Sequence, residues 1–149
     1  MKIKIRKLRK NDFRKGFLET LANLLPVGLT AEEAENIFEA TGAYQDPVYN
    51  FFVAEIGGKI VGCATILIEQ KFLLKGAKFG HIEDVAVVTK YERRGIGKLL
   101  IEALSDEAER RGCCTVRLDC TEKNRTFYEK CGFYAKELMM QKDLHFIKV

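Results

Sequence analysis

The chain alternates between two hydrophobic periods, and the places where it switches divide it into elements. Near the N-terminus Ile3 and Ile5 alternate with charged residues, which predicts a strand over 2–8. Asn11 or Asp12 can cap a helix carrying Phe13, Phe17, Leu18, Leu21 and Leu24, which Pro26 and Gly28 would end. Thr30 and Glu33 have the spacing of a capping box, opening a second helix through Ile37 and Phe38 to Gly42. From Tyr49 the pattern changes: 49–56 and 59–68, rich in Val, Ile and Phe, read as strands joined by a Gly57-Gly58 hairpin turn. Another strand is expected over 79–88. Residues 96–111 then place Ile96, Leu99, Leu100, Ala103, Leu104 and Ala108 at helical spacing, with Gly112 behind them. Val116 and Leu118 mark a further strand, Asn124 to Lys130 a short helix, and 133–142 a last strand. The order β-α-α-β-β-β-α-β-α-β predicts an α+β fold, one mixed sheet with helices packed on it.

Composition narrows this picture. At 149 residues the chain fits a single domain over 1–149. Hydrophobic residues at 47% and charged residues at 31% allow a buried core with a solvated surface. No stretch approaches the roughly 20 apolar residues that span a bilayer, and residues 1–10 lack the apolar block of a signal peptide. The five cysteines are odd in number and contain no C-x-x-C pair, so neither a disulfide framework nor a zinc site is expected. Most lie in apolar runs and are expected to behave as small buried hydrophobes in a reducing, cytoplasmic setting. The net charge of +4 suits an anionic small molecule. Basic residues interleave with acidic ones rather than forming the stripe that nucleic acid requires.

The most informative stretch is strand 79–88 followed by Arg93-Arg94-Gly95-Ile96-Gly97-Lys98 at the start of the long helix. A helix start offers unpaired N–H groups and partial positive charge, both suited to phosphate. Glycine lets an anion approach the backbone, and Arg93, Arg94 and Lys98 add charge. It is not a P-loop, because Leu99 follows Lys98 and position 92 is Glu; nor is it a dinucleotide fingerprint, because Leu100 stands where the third glycine should be. Taken alone, the glycines also fit a softened helix entry with solvated arginines.

Several polar residues sit where apolar ones would be expected. Glu83 and Asp84 interrupt strand 79–88 and, by alternation, point to opposite faces; either could orient an amine or simply lie on a solvated face. Asp119, near the end of an apolar strand, could receive an ammonium or a sugar hydroxyl. Tyr128 could protonate a leaving group, or serve as a core aromatic beside Phe127. His81 reads as structural, since nothing in the sequence pairs it with an orienting carboxylate.

The segment Glu92-Arg93-Arg94-Gly95-Ile96-Gly97 resembles the acetyl-CoA motif Q/R-x-x-G-x-G/A of the GCN5-related N-acetyltransferase superfamily, with Glu92 as a departure. Phe127-Tyr128 through Gly132-Phe133 is similar to a second segment of that superfamily. The resemblance implies the acyl-CoA N-acyltransferase fold, acetyl-CoA as acyl donor and a primary amine as acceptor. It implies that the backbone of Val85, Ala86 and Val87 pairs with the pantetheine arm. Residues Arg93, Arg94, Gly95, Ile96, Gly97 and Lys98 would hold the pyrophosphate, with Asn124, Tyr128 and Lys130 also at the cofactor. Tyr128 would assist thiolate departure. Three segments, Gly80–Val87, Gly95–Leu100 and Leu118–Phe133, further resemble the branch that acetylates glucosamine 6-phosphate.

That likeness implies Glu83, Asp84 and Asp119 in an amino-sugar pocket, with Glu83 and Asp119 catalytic, and Lys71 at the phosphosugar. It also implies a homodimer whose partner helps to build the sugar site. The departures cluster in the phosphosugar half: Leu25 before Pro26-Val27-Gly28, Leu74, Cys114-Thr115 and Lys142-Asp143 replace expected polar, aromatic or basic residues. Another small amine or a peptide amine is therefore the alternative acceptor, and a non-catalytic acetyl-CoA-binding module the alternative of another class.

Overall fold

The computed structural model describes residues 2–42 and 48–149. Among these residues five strands form one sheet: β1 (Lys4–Lys7), β2 (Tyr49–Ile56), β3 (Lys59–Gln70), β4 (Lys78–Val87) and β5 (Cys113–Leu118). They lie in the order β1-β2-β3-β4-β5. Every pair is antiparallel except β4 and β5, which run parallel. The helices are α1 (Phe17–Leu21), α2 (Ala31–Ala40), the single turn α3 (Leu73–Gly76), α4 (Ile96–Arg110) and α5 (Glu122–Lys130).

Local chemistry accounts for most boundaries. At α2, Thr30 Oγ1 accepts from Glu33 N at 3.2 Å while Thr30 N donates to Glu33 Oε2 at 2.8 Å, the reciprocal box expected from the spacing. The β2–β3 hairpin turns at Gly57-Gly58, with Ile56 opposite Lys59. The first expected helix is instead split into a 3-10 turn over Lys10–Arg14 and the short α1. Gly16, at φ 102, breaks it: Ile60 N donates to Lys15 O at 2.8 Å, and a Cβ on Gly16 would lie 2.9 Å from Ile60 O. Pairing with the start of β3 thus overrides helix continuation.

Two apolar layers sandwich the sheet. On one face α4 buries Ile96, Leu100, Ile101, Leu104 and Ala108 against Ala54, Ala64, Ile66 and Ile82. On the other, Phe13, Phe17, Ala34 and Phe38 cover Val53, Cys63 and Ala86. Only Cys63 among the cysteines is fully buried, so the expectation that most would be core residues fails. Cys113 and Cys131 are half-buried and Cys114 and Cys120 exposed.

The expected last strand over 133–142 does not form; residues 133–149 contain no helix or strand. Sheet pairing ends at β5, and the tail exposes Tyr134, Leu138, Met139, Met140, Leu144, Phe146 and Ile147. Its β-like composition stays unpaired although the outer edge of β5 is open among the described residues.

Candidate active site

The site begins where β4 and β5 part company. Their parallel pairing runs from Lys78 with Cys113 to Ile82 with Leu118 and stops there, while β4 continues to Val87. Val87 and Ala86 still pair with Gly62 and Cys63 of β3. One backbone edge of Ala86 and Val87 is therefore engaged, and the opposite edge of Val85–Val87 has no strand partner among the described residues. An extended ligand arm could add itself to such an edge.

At the far end of this splay the chain makes a 3-10 turn over Thr89–Tyr91 and enters α4. Arg93 at φ 58 and Gly95 at φ 80 both take the left-handed conformation, which curls the backbone ahead of Ile96. No side chain caps this helix start, and a Cβ at Gly95 would meet nothing within 4 Å. The first amides of a 15-residue helix thus open on space, as anion binding requires. Arg93, Arg94 and Lys98 are exposed around it. Arg94 lies 5.4 Å from the Tyr91 ring centre and Lys98 3.7 Å from Glu102. Gly97 is bare for a different reason. A Cβ there would come 3.1 Å from the Phe127 ring, so its absence lets α5 close on the start of α4.

That contact places α5, with exposed Asn124 and Lys130, beside the turn. Tyr128 follows Phe127 and packs edge-on to it at 4.9 Å, with Phe133 at 6.1 Å. The ring joins the α4-side core, yet the residue is only half-buried. Burial, reinforced by the nearby Cys120 and Cys131 thiols, pushes its phenol up to about 12. The hydroxyl therefore stays protonated at neutral pH and is available as a donor.

The acidic residues come together around an unexpected partner. His81 Nε2 lies 3.1 Å from Glu83 Oε1 and 3.2 Å from Asp119 Oδ2, and its Nδ1 lies 3.9 Å from Glu69 Oε1. The expectation that His81 has no orienting carboxylate is thus corrected. His81 and Glu83, two apart on one strand, share a face in any regular strand. Asp119 was a candidate from the sequence, but its approach to His81 could not be read there, because it depends on the register of β5.

The face assignment of Asp84 also changes. Ile82 and Val85 both pack on the α4 side, and Ala86 on the opposite side. Two residues stand between Ile82 and Val85 where alternation allows an odd number. The register shift opposite Cys63 and Thr65 absorbs the extra one, and Asp84 sits there at φ 53. Asp84 lines an apolar hollow of about 150 Å³ with Cys63, Thr65, Phe17 and Phe38, so Glu83 and Asp84 do not oppose each other across the sheet. Burial pushes the Glu83 carboxyl up, Asp84 and Asp119 add to that rise, and His81 opposes it.

Just before His81 on the same face, Phe79 is flanked by two cations. Lys71 Nζ lies 5.6 Å and the Arg117 guanidinium carbon 4.5 Å from its ring centre. Lys71 also pairs with Glu69. Lys142 stands apart in the exposed tail. A larger cleft of about 370 Å³, lined by Lys4, Arg6, Arg9 and Asp12 among others, belongs to β1 and the first turn rather than to the splay. Among the described residues no helix is long and apolar enough to cross a membrane.

A mixed sheet splayed between two parallel strands, with an uncapped helix start at the mouth, is the framework of an acyl-CoA transferase. Residues 7–133 match the acetyltransferase (GNAT) family, and the chain belongs to it. Glucosamine 6-phosphate N-acetyltransferase of Arabidopsis thaliana is 43% identical over 141 residues, covering 93% of this chain and 95% of that protein. Glucosamine 6-phosphate N-acetyltransferase 1 of Dictyostelium discoideum is 34% identical, covering 93% and 88%. The Arabidopsis crystal structure superposes with a TM-score of 0.92 at 40% identity, over 97% of this chain and all (100%) of that one. A Trypanosoma brucei acetyltransferase gives 0.86 at 36%, over 96% and 100%.

Proposed function

We propose that this N-acetyltransferase moves the acetyl group of acetyl-CoA to the amine of glucosamine 6-phosphate. The observation that carries the reading is the order of charges along one face of β4: Lys71 and Arg117 around Phe79, then His81, then Glu83 with Asp119. Alternate residues on a strand face are about 7 Å apart. A cationic patch thus sits next to an acidic one on the scale of a hexose, suiting a ligand with phosphate at one end and ammonium at the other. The curated relatives' names support the same acceptor.

Acetyl-CoA would supply the activated acyl group and leave as coenzyme A. The amides from Arg93 to Lys98 would hold its pyrophosphate, the free edge of Val85–Val87 its pantetheine arm, and Asn124 and Lys130 the flank nearest α5. Glu83, whose carboxyl is held above its ordinary range, accepts the amine's proton directly or through water. Asp119 and Asp84 position the amino sugar, and Lys71 receives its phosphate. Tyr128 donates a proton to the departing thiolate. We also propose a homodimer, because the tail and the Phe72–Leu74 knuckle expose many large apolar residues. The unpaired cysteines support a cytoplasmic location.

Thiol release from acetyl-CoA, measured with glucosamine 6-phosphate, glucosamine and a panel of peptide amines and polyamines, tests the reading. Saturable release requiring the phosphosugar is expected. Equal or better turnover of an unphosphorylated amine would overturn the acceptor while leaving the transferase. Acetyl-CoA binding without turnover of any amine would leave a binding module.

A further inference from the structure

We propose that His81 is a positioning residue, the strap that holds Glu83 of β4 and Asp119 beyond β5 together as one amine-receiving pair. The proposal rests on the amine-acetylating reading above. The backbone cannot hold them so, because strand pairing ends at Ile82 with Leu118 and both acids lie just past that point. His81 is opposite Arg117 in the last stretch of pairing, so Glu83 and Asp119 are each two residues further along the same face. From there its Nε2 reaches both carboxylates, at 3.1 and 3.2 Å.

The charges around the imidazole make its place specific. Facing it are Glu83 from β4, Asp119 after β5 and Glu69 from β3, with Asp84 acting on Glu83 from the bulge. Glu69 is matched by Lys71, and Arg117 is turned onto Phe79. Glu83 and Asp119 have His81 between them, and it is the group that opposes the rise of the Glu83 carboxyl caused by burial and by its acidic neighbours. Without His81 the two carboxylates would repel each other across the open splay. An arriving ammonium would then meet two separated acids rather than a formed pair. A histidine with no electrostatic contact to Glu83 would leave that carboxyl's titration unchanged.

The test compares His81→Gln and His81→Ala. Glutamine sets a hydrogen-bond donor near the place of Nε2 but cannot take up a proton, whereas alanine can do neither. Carboxyl carbon NMR of Glu83, assigned with Glu83→Gln, reads the coupling without any substrate. Glu83 is expected to titrate at higher pH in both His81 variants than in the wild type. An unchanged midpoint overturns the proposal even if the acceptor proves to be another amine. In turnover assays with glucosamine 6-phosphate, His81→Ala is expected to raise KM for the amine about tenfold, with His81→Gln recovering at least half of that. KM for acetyl-CoA should stay within twofold, and the acid limb of kcat/KM should move upward in pH in both variants. Equal losses in KM for both substrates, with a fixed acid limb, would mark His81 as structural and overturn the strap. If no amine is turned over, the function fails separately and the NMR titration still decides the role of His81.

Discussion

Tyr128 shows how one side chain can satisfy two demands. Its ring is part of the contact between α5 and the α4-side core, and its hydroxyl is the one we propose as the acid for the departing thiolate. Burial raises the phenol to about 12, which keeps the proton on the hydroxyl at neutral pH. Tyr128→Phe retains the ring and removes only the proton. Turnover is therefore expected to fall by roughly a hundredfold, the lower end of what a positioned general acid contributes, with KM for acetyl-CoA nearly unchanged. The wild-type kcat should show no basic limb from this group below about pH 11, given a phenol raised to about 12. Steady-state kinetics across pH check both points. An unchanged turnover in Tyr128→Phe would confine the residue to packing.

Between elements, the N-terminal part is tied down by charge. Arg6 of β1 donates to Asp12 Oδ2 and Oδ1 at 2.7 and 2.8 Å and to Glu55 of β2, while Arg9 N donates to Asp12 Oδ2 at 2.7 Å. Asp12 is only 1% exposed. Burial works against its charge, and the Arg6 and Arg9 hydrogen bonds more than offset that, holding the carboxyl below its ordinary range. A carboxylate depressed in the folded state stabilises the fold fully above its unfolded value of about 3.9, and that contribution is lost as pH falls below it. Asp12→Asn is expected to cost about 3 kcal/mol, since it leaves the mostly buried Arg6 short of its partner. Urea unfolding at pH 7 and pH 3 checks this: the gap between variant and wild type should shrink at the lower pH.

The same region marks the limit of sequence reading at this scale. The Thr30 box, the Gly57-Gly58 turn and the α4 stripe were legible because their signals lie within a few residues of each other. The interruption at Gly16 was not, because it comes from Ile60, far along the chain, docking on Lys15. For the same reason, alternation misplaced Asp84: the bulge that moves it depends on the register between β3 and β4. At the site, the glycine turn ahead of α4 could be read as a contiguous motif, whereas the meeting of His81 with Asp119 needed the parallel pairing of β4 and β5.

For the whole molecule, the tail poses the largest unsolved burial. Beyond Phe133 the chain has strand-like composition but no strand, and Leu138 is 89% and Phe146 101% exposed. Its last residue reaches Gly28, yet most of its apolar side chains face water. Meanwhile β5 presents an edge with no further strand among the described residues. An open edge and an exposed apolar segment are each a liability on their own. A second copy resolves both if each tail lies against the other's sheet, and an isologous pair closes without further growth. Removal of Ala135–Val149 keeps the Phe133 contact with Tyr128 and is expected to convert a dimer to a monomer. Sedimentation equilibrium should report twice the monomer mass for the full chain at micromolar concentration, and a single mass for the truncated one. The truncated chain should keep acetyl-CoA affinity, because the α4 turn lies outside the removed segment. KM for the phosphosugar should rise severalfold if the partner helps to form that end of the site. A full-length chain that stays monomeric while turning over the phosphosugar would show that one copy suffices, and the tail would need another explanation.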